Sequence, residues 1–161
     1  IMSAFLKLGD IKGQSSDADH KDWILLEAMS SPIFRSIPEG AKDNQRTQGE
    51  TSLGDVVVTR TLDKSSPKLA EACASGKMFP EVEVHFCTTA EKKEEPYLKY
   101  KLTDVVVTSY SFAGNSSGDP LPSEEITLGF TKVEWTYVLI NPKTFKPEGN
   151  VVGKYEPAVG N

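Results

Sequence analysis

Three side chains that commonly bind metals stand at alternate positions near the middle of the chain. Glu83, His85 and Cys87 share one face of a predicted strand that begins near residue 81. Two donors at i and i+2 can share a metal ion, but three along a flat strand span too far for one ion. We therefore interpret them as the polar side of an amphipathic strand, and we predict no metal and no cofactor.

Histidine-based catalysis has little support in the sequence. The chain has two histidines, His20 in a polar segment and His85, and it has no G-x-S-x-G motif. Adjacent carboxylates such as Glu124 and Glu125 point to opposite sides of a strand and cannot act as a catalytic pair. Residues 9–13 lack the G-K-[ST] ending of a phosphate-binding loop. We predict that both histidines are exposed and that the protein is not an enzyme.

The composition limits the partners and the compartment. The 161 residues suit one domain, and the net charge of −5 argues against nucleic acid or an anionic membrane as a partner. No apolar run reaches the length of a membrane span, so we expect no direct membrane insertion. The first residues have no signal-peptide pattern, which predicts cytoplasmic synthesis and, if the protein is secreted, export without a cleaved signal. Two cysteines are too few for a disulfide framework.

One helix is predicted, at about residues 66–75. Ser65 or Ser66 can cap its start, Pro67 suits its first turn, and Gly76 stands where a left-handed residue ends a helix. The rest of the chain reads as seven or so short strands, among them residues 5–8 and 23–29. This pattern predicts a β-barrel or a β-sandwich flanked by one helix.

Two features of the strands bear on the architecture. The sequence Asp-Val-Val-Val-Thr occurs at residues 55–59 and again at 104–108, so neither face of either strand is fully exposed. From residue 125 to 140 the apolar positions change parity, which predicts a bulge or bend near Thr131 and Lys132. The buried second face is explained either by a neighbouring subunit or by the protein's own helix and loops.

Residues 32–52 form a long polar stretch without periodicity, and loops of this length are usually functional or disordered. Together with the valine triplets, this loop favours a protein that works through its surface. A monomeric β-barrel that binds a small ligand or a carbohydrate remains open as an alternative.

Several segments, in order along the chain, resemble the Hcp (haemolysin-coregulated protein) family of type VI secretion tube proteins. The similar segments are residues 5–13 with His20, 63–77, 102–109, and 125–128 with Tyr137. Matches in family order over about residues 3–140 are far more specific than a single short motif.

The resemblance implies a mainly β fold: a small β-barrel of two sheets with one flanking helix, similar to phage tail-tube proteins. It implies a barrel domain over residues 2–140 and a tail over 141–161 that is not a separate domain. The implied function is non-enzymatic. Homo-hexameric rings stack into a tube inside a contractile sheath, are exported with a spike protein, and can carry small effector proteins in the lumen. A phage-like tail-tube role is a further alternative.

The resemblance also assigns roles to the long loop, which corresponds to an extended loop that reaches neighbouring subunits or rings. The residues expected to supply ring or stacking contacts are Arg35, Glu39, Gln45, Arg46 and Glu50. Ser30 and Ser31, where the second strand ends, are candidates for the lumen wall.

Overall fold

The computed structural model of the chain describes residues 2–35, 39–40, 51–90, 93–114, 116 and 121–156. These residues form eleven strands and one helix, all named here in chain order. The elements are β1 (Met2–Leu8), β2 (Ile24–Leu26), β3 (Ala28–Ser30), β4 (Ile33–Arg35), β5 (Thr51–Leu53), β6 (Val56–Thr61), α1 (Ser66–Ser75), β7 (Met78–Ala90), β8 (Lys93–Ala113), β9 (Ser123–Gly129), β10 (Lys132–Ile140) and β11 (Pro147–Tyr155).

A nine-stranded antiparallel sheet closes on itself through one bent segment. Seven of its strands follow the order β2-β1-β7-β8-β9-β6-β3, and β10 and β11 branch from β8. The strands at the two ends of this order, β2 and β3, are separated in sequence only by Glu27. The backbone N–H of Glu27 donates to the carbonyl of Thr59 at 2.9 Å, where the chain leaves β1 and begins to pair with β6. The single strand predicted over residues 23–29 is therefore wrong, because a straight strand cannot pair with neighbours on both sides of the closure.

The longest strand, β8, also serves two partners besides β7. Its first half pairs with β10 and its second half with β9. Asp104 lies at the change of partner with a left-handed φ of 51°, and the backbone N–H of Thr131 donates to the carbonyl of Thr103 at 3.0 Å. The bend predicted near Thr131 is confirmed, because β9 ends at Gly129 and β10 begins at Lys132.

The core lies inside the closed sheet and under the helix. The first and third valines of each triplet are buried and the middle valine is half-buried, as the triplets predicted. Leu69 and Ala72 of α1 belong to the same core, and α1 packs against β8. The fully buried aliphatic side chains are those of Leu6, Leu8, Ile24, Val56, Val58, Leu69, Val82, Val84, Leu102, Val105, Ile126 and Leu128.

The helix has the predicted bounds but a different start. Pro67 lies in its first turn, and Gly76 adopts φ 67° and ψ 31°, the left-handed conformation that glycine accepts without strain. Ser65 is the N-cap residue, yet its side chain makes no capping hydrogen bond. The predicted serine cap is therefore wrong, because the Ser65 hydroxyl is engaged by Arg60 instead, at 2.6 Å.

A buried arginine joins the helix start to two strands. Arg60 of β6 is 1% exposed. Its guanidinium lies 2.5 Å from the Asp63 carboxylate and 3.0 Å from the Glu124 carboxylate of β9. The contact with Glu124 is an ion pair without hydrogen-bond geometry. The hydroxyl of Tyr110 on β8 donates to the other oxygen of Glu124 at 2.6 Å. A buried charge is tolerated only when it is paired, so these contacts fix the helix start relative to the barrel.

The fold predicted from the sequence is confirmed: a mainly β chain in two sheets with a flanking helix, the second sheet being the β4–β5 hairpin. The segment after residue 141 contains the strand β11, which pairs along most of β10. Within the described residues, no helix has the length and apolar character needed to cross a membrane.

Replacing Arg60 with leucine is expected to lower the free energy of unfolding by about 3–5 kcal/mol, because the Asp63 and Glu124 carboxylates lose their counter-charge. Urea unfolding followed by circular dichroism measures this change. Lys101→Ala is the control, since its 3.5 Å pair with Glu81 is half-exposed, and it should cost less than about 1 kcal/mol. Equal losses in the two variants would contradict the role given to Arg60.

Candidate assembly surface

The two histidines meet on the outer face of β1 and β7. Residues 13–23, called here the cover segment, fold back over this face, with the N–H of Gly13 donating to the carbonyl of Asp22 at 2.7 Å. His20 stacks on the ring of Phe5 at 4.4 Å and is 1% exposed. The prediction that His20 and His85 are exposed is therefore wrong: His20 is buried and His85 is half-buried, because a polar segment can pack closely when its backbone groups bond one another.

A chain of hydrogen bonds runs through this cluster. His20 Nδ1 lies 2.6 Å from the Asp17 carboxylate, and His20 Nε2 lies 2.9 Å from His85 Nδ1. Burial, together with the nearby charges of His20 and Lys99, lowers the pKa of His85 to about 4. His85 is therefore neutral at neutral pH, with one ring nitrogen that donates and one that accepts.

The same cluster contains the metal candidates, and it does not form a metal site. Cys87 lies 3.9 Å from His20 Nε2, and burial beside Glu94 raises the pKa of its thiol to about 12. In the part of the chain that the structure describes, no group of three His, Cys, Asp or Glu side chains is placed to hold a metal ion. The predicted shared face is present and carries Glu83, His85 and Cys87. The interpretation of this face as the polar side of the strand is wrong, because the cover segment buries Cys87 and half-buries His85.

The long loop begins and ends in a small projecting hairpin. Strands β4 and β5 pair with Phe34 opposite Ser52, whereas the sequence predicted no strand there. Ile33 and Phe34 are 51% and 61% exposed. Exposed apolar side chains on a hairpin that belongs to neither the barrel nor the helix indicate a contact surface.

The predicted contact residues fall partly on this hairpin. Arg35 ends β4, is exposed, and donates to the Thr51 hydroxyl at 3.2 Å, while Glu39 is exposed in the following turn. Gln45, Arg46 and Glu50 lie outside the described residues.

The two lumen candidates lie just before the hairpin. Ser30 is exposed at the end of β3, opposite Val57, and Ser31 follows it half-buried. The structure thus places Ser30 at an accessible strand end, close in sequence to Arg35, which is consistent with a surface role for both.

A second apolar surface extends from the barrel interior onto β10 and β11. The inward face of β10 begins at the buried Val133 and continues to Tyr137 and Leu139, and Tyr137 pairs with Val151 of β11. Tyr137, Leu139 and Val151, called here the apolar edge face, are 50%, 47% and 62% exposed. The core-facing side of the sheet therefore continues past the part that the barrel closes.

The opposite face of the same two strands is mixed: it carries polar side chains near Thr136, and its Val138 is 5% exposed. Thr136 there pairs with Lys99 and with Val152, and Glu134 pairs with Lys101 and Lys154. Among the described residues β11 pairs only with β10, so it is an edge strand with one free side. An exposed edge with an apolar face favours association with another chain.

Local sequence signals for β11 are weak, because Pro147, Gly149 and Gly153 interrupt a strand pattern. Its main signal is Val151, an apolar residue that pairs with Tyr137 of β10.

Comparison with known proteins identifies similar sequences and structures. The sequence profile described as "Type VI secretion system effector, Hcp" matches residues 5–137. The protein named hcp1 of Pseudomonas aeruginosa is 33% identical over 133 residues, which cover 83% of this chain and 81% of that protein.

Two solved structures share the fold over nearly the whole chain. One, described as a type six secretion system protein, has a TM-score of 0.90 and 27% identity, and covers 100% of this chain and 99% of its own. The other, Hcp1 from Salmonella typhimurium, has a TM-score of 0.78 and 25% identity, with coverage of 99% and 97%.

Gly13→Ala is expected to destabilise the protein by about 1–3 kcal/mol, because a Cβ there would lie 2.4 Å from the carbonyl oxygen of Trp23 and 2.5 Å from Cα of Ile24. Thermal unfolding measures the effect. Gly149→Ala is the matched control, since its nearest neighbour, Leu139 Cδ1, lies 4.0 Å away. If the two variants melt at the same temperature, the close packing of the cover segment is wrong.

Proposed function

The chain belongs to the Hcp family of type VI secretion proteins, and we propose that it is a structural subunit of the secretion tube. In this proposal six copies form a ring, and rings stack into a tube inside a contractile sheath. The tube is exported together with a spike protein, and small effector proteins travel in its lumen. The role is non-enzymatic.

The observation that carries the proposal is the apolar edge face. Tyr137, Leu139 and Val151 extend the buried side of the sheet into solvent, and β11 offers unpaired backbone groups beside them. This surface contributes no stabilisation while it is exposed in a monomer. When a neighbouring copy covers it, burial of apolar area stabilises the contact by about 25 cal/mol for each Å². A closed ring of identical contacts would leave no copy with this surface uncovered.

The long loop has the second role in the proposal. Arg35 and Glu39, together with Gln45, Arg46 and Glu50, contact neighbouring subunits or rings, and Ser30 and Ser31 belong to the lumen wall. The exposed apolar side chains of the β4–β5 hairpin support a contact role for the loop. Residues 2–140 act as the barrel domain, and residues 141–161 add an edge to it through β11 and form no separate domain.

Val151→Lys is expected to convert the assembly to monomers, because it places a charge in the centre of the apolar edge face. Sedimentation velocity should give about six times 17.6 kDa for the parent protein and one chain mass for the variant. Val152→Lys is the matched control: this neighbouring valine is 54% exposed on the opposite face, where it pairs with Thr136, and the variant should keep the parent mass. A parent protein that stays monomeric at high concentration supports a monomeric binding module instead.

Phe34→Asp is expected to weaken stacking between rings while the ring itself remains, because it removes the most exposed aromatic side chain of the hairpin. The amount of species larger than one ring, measured by light scattering at increasing concentration, should fall relative to the parent protein. The ring mass serves as the internal control. Unchanged stacking would remove the hairpin from the proposed contacts.

A further inference from the structure

The hydrogen bond between the two histidines depends on the protonation of both rings, and the proposed tube function does not require this dependence. His20 lies on the cover segment and His85 on β7, so the 2.9 Å contact joins that segment directly to the barrel. Asp17 accepts from Nδ1 of His20, which leaves the lone pair of neutral His20 on Nε2, facing the N–H of His85 Nδ1. The contact therefore depends on one N–H and one lone pair meeting between the rings.

Proton uptake changes this arrangement in two steps. A first proton on His20 Nε2 leaves the contact intact, provided that His85 moves its own proton to Nε2 and presents the Nδ1 lone pair. A second proton places an N–H on both facing nitrogens and a positive charge on both rings, 2.9 Å apart. No hydrogen bond is then possible between them, and like charges repel at this distance.

We propose that the His20–His85 contact is an acid-sensitive latch, which holds the cover segment on the outer face of the barrel and releases it when both histidines are protonated. The latch is independent of tube assembly, since it acts within one chain. Its release exposes Phe5 and Cys87, which lie beneath His20.

The surroundings of the pair favour release in acid and not in base. Asp17 on the cover segment contacts His20 Nδ1 at 2.6 Å, and Lys99 on β8 opposes a charge on His85. An exposed ion pair of 3.7 Å between Asp19 and Lys93 adds a second, weaker tie between the cover segment and β8. Glu94 and Glu95 of β8 lie near Cys87, and Glu83 of β7, which pairs with Lys7 of β1, shares the face of His85.

The direction of the pH dependence follows from the pKa of His85. In the latched state this pKa is lowered to about 4, whereas a released histidine titrates near its ordinary value of 6.5. At His85 the released state therefore binds more protons at every pH between these values. The latch is fully stable above about pH 6.5 and loses stability as the pH falls towards 4.

The reactivity of Cys87 reports release, because its thiol is fully buried in the latched state. The full-length protein is treated with 4,4′-dithiodipyridine from pH 7.5 to 4.5, and each cysteine is quantified by peptide mass spectrometry. Rates are divided by those of the urea-unfolded chain at the same pH. The protection of Cys87 is expected to fall at least about tenfold between pH 7 and pH 5, as proton linkage of one histidine allows. Cys73 on α1 is the internal control, and its protection should stay constant.

His85→Gln tests the assignment, since glutamine keeps a donor for His20 Nε2 but cannot be protonated. This variant is expected to lose at least half of the pH dependence of Cys87 protection. The matched control is Glu83→Gln, two residues away on the same face of β7, which should behave like the parent protein. A parent protection that is flat with pH, or an unchanged pH dependence in His85→Gln, would overturn the latch.

Hydrogen exchange of the parent protein gives a test that needs no substitution. The amides of Gly13, Ser15 and Asp22 are hydrogen-bonded within the cover segment. They should lose protection at pH 5 while those of β7 keep it. If β7 loses protection over the same pH range, acid unfolds the whole domain and the local latch is wrong.

Discussion

The structure depends on one buried positive charge. Arg60 lies in the barrel wall, 1% exposed, and a guanidinium in that position requires carboxylates held in place around it. Asp63 comes from the turn before α1, and Glu124 comes from β9. Because both carboxylates must lie beside Arg60, this pairing fixes where α1 starts and where β9 lies relative to β6. Tyr110 then links this arrangement to β8. Three strands and the only helix among the described residues are positioned by the need to neutralise one side chain.

The barrel built around this charge covers its surfaces unequally. The outer face of β1 and β7 is closed by the chain itself, through the cover segment and His20. The sheet's inner face, in contrast, continues past the barrel closure onto β10 and β11, where nothing within the described chain covers Tyr137, Leu139 and Val151. The first surface is suited to a change within one chain, and the second to contact with another chain. Membership of the Hcp family gives that second surface its proposed partner, a further copy of the same subunit.

Local sequence signals predicted the elements better than their connections. The helix was predictable because Pro67 and Gly76 act through the backbone at their own positions. The parity change before Lys132 similarly predicted the bend between β9 and β10. The break at Glu27 was not predictable, since it follows from closing the sheet and leaves no local signal. The burial of His20 was missed for a related reason: its partners Phe5 and His85 are distant in sequence, and a polar segment gives no sign of what it covers. The apolar residue Val151 can be read from the sequence, but its position beside Tyr137 follows only from the pairing of β10 with β11.

In the proposed function, an uncovered sheet face and edge make this chain a ring-forming subunit. Electron microscopy of the purified protein in negative stain tests it most directly, because ring geometry is visible without knowledge of any partner. We expect particles with sixfold symmetry and a central opening, and end-to-end stacks of them at high concentration. Particles of single-chain size at every concentration would contradict it.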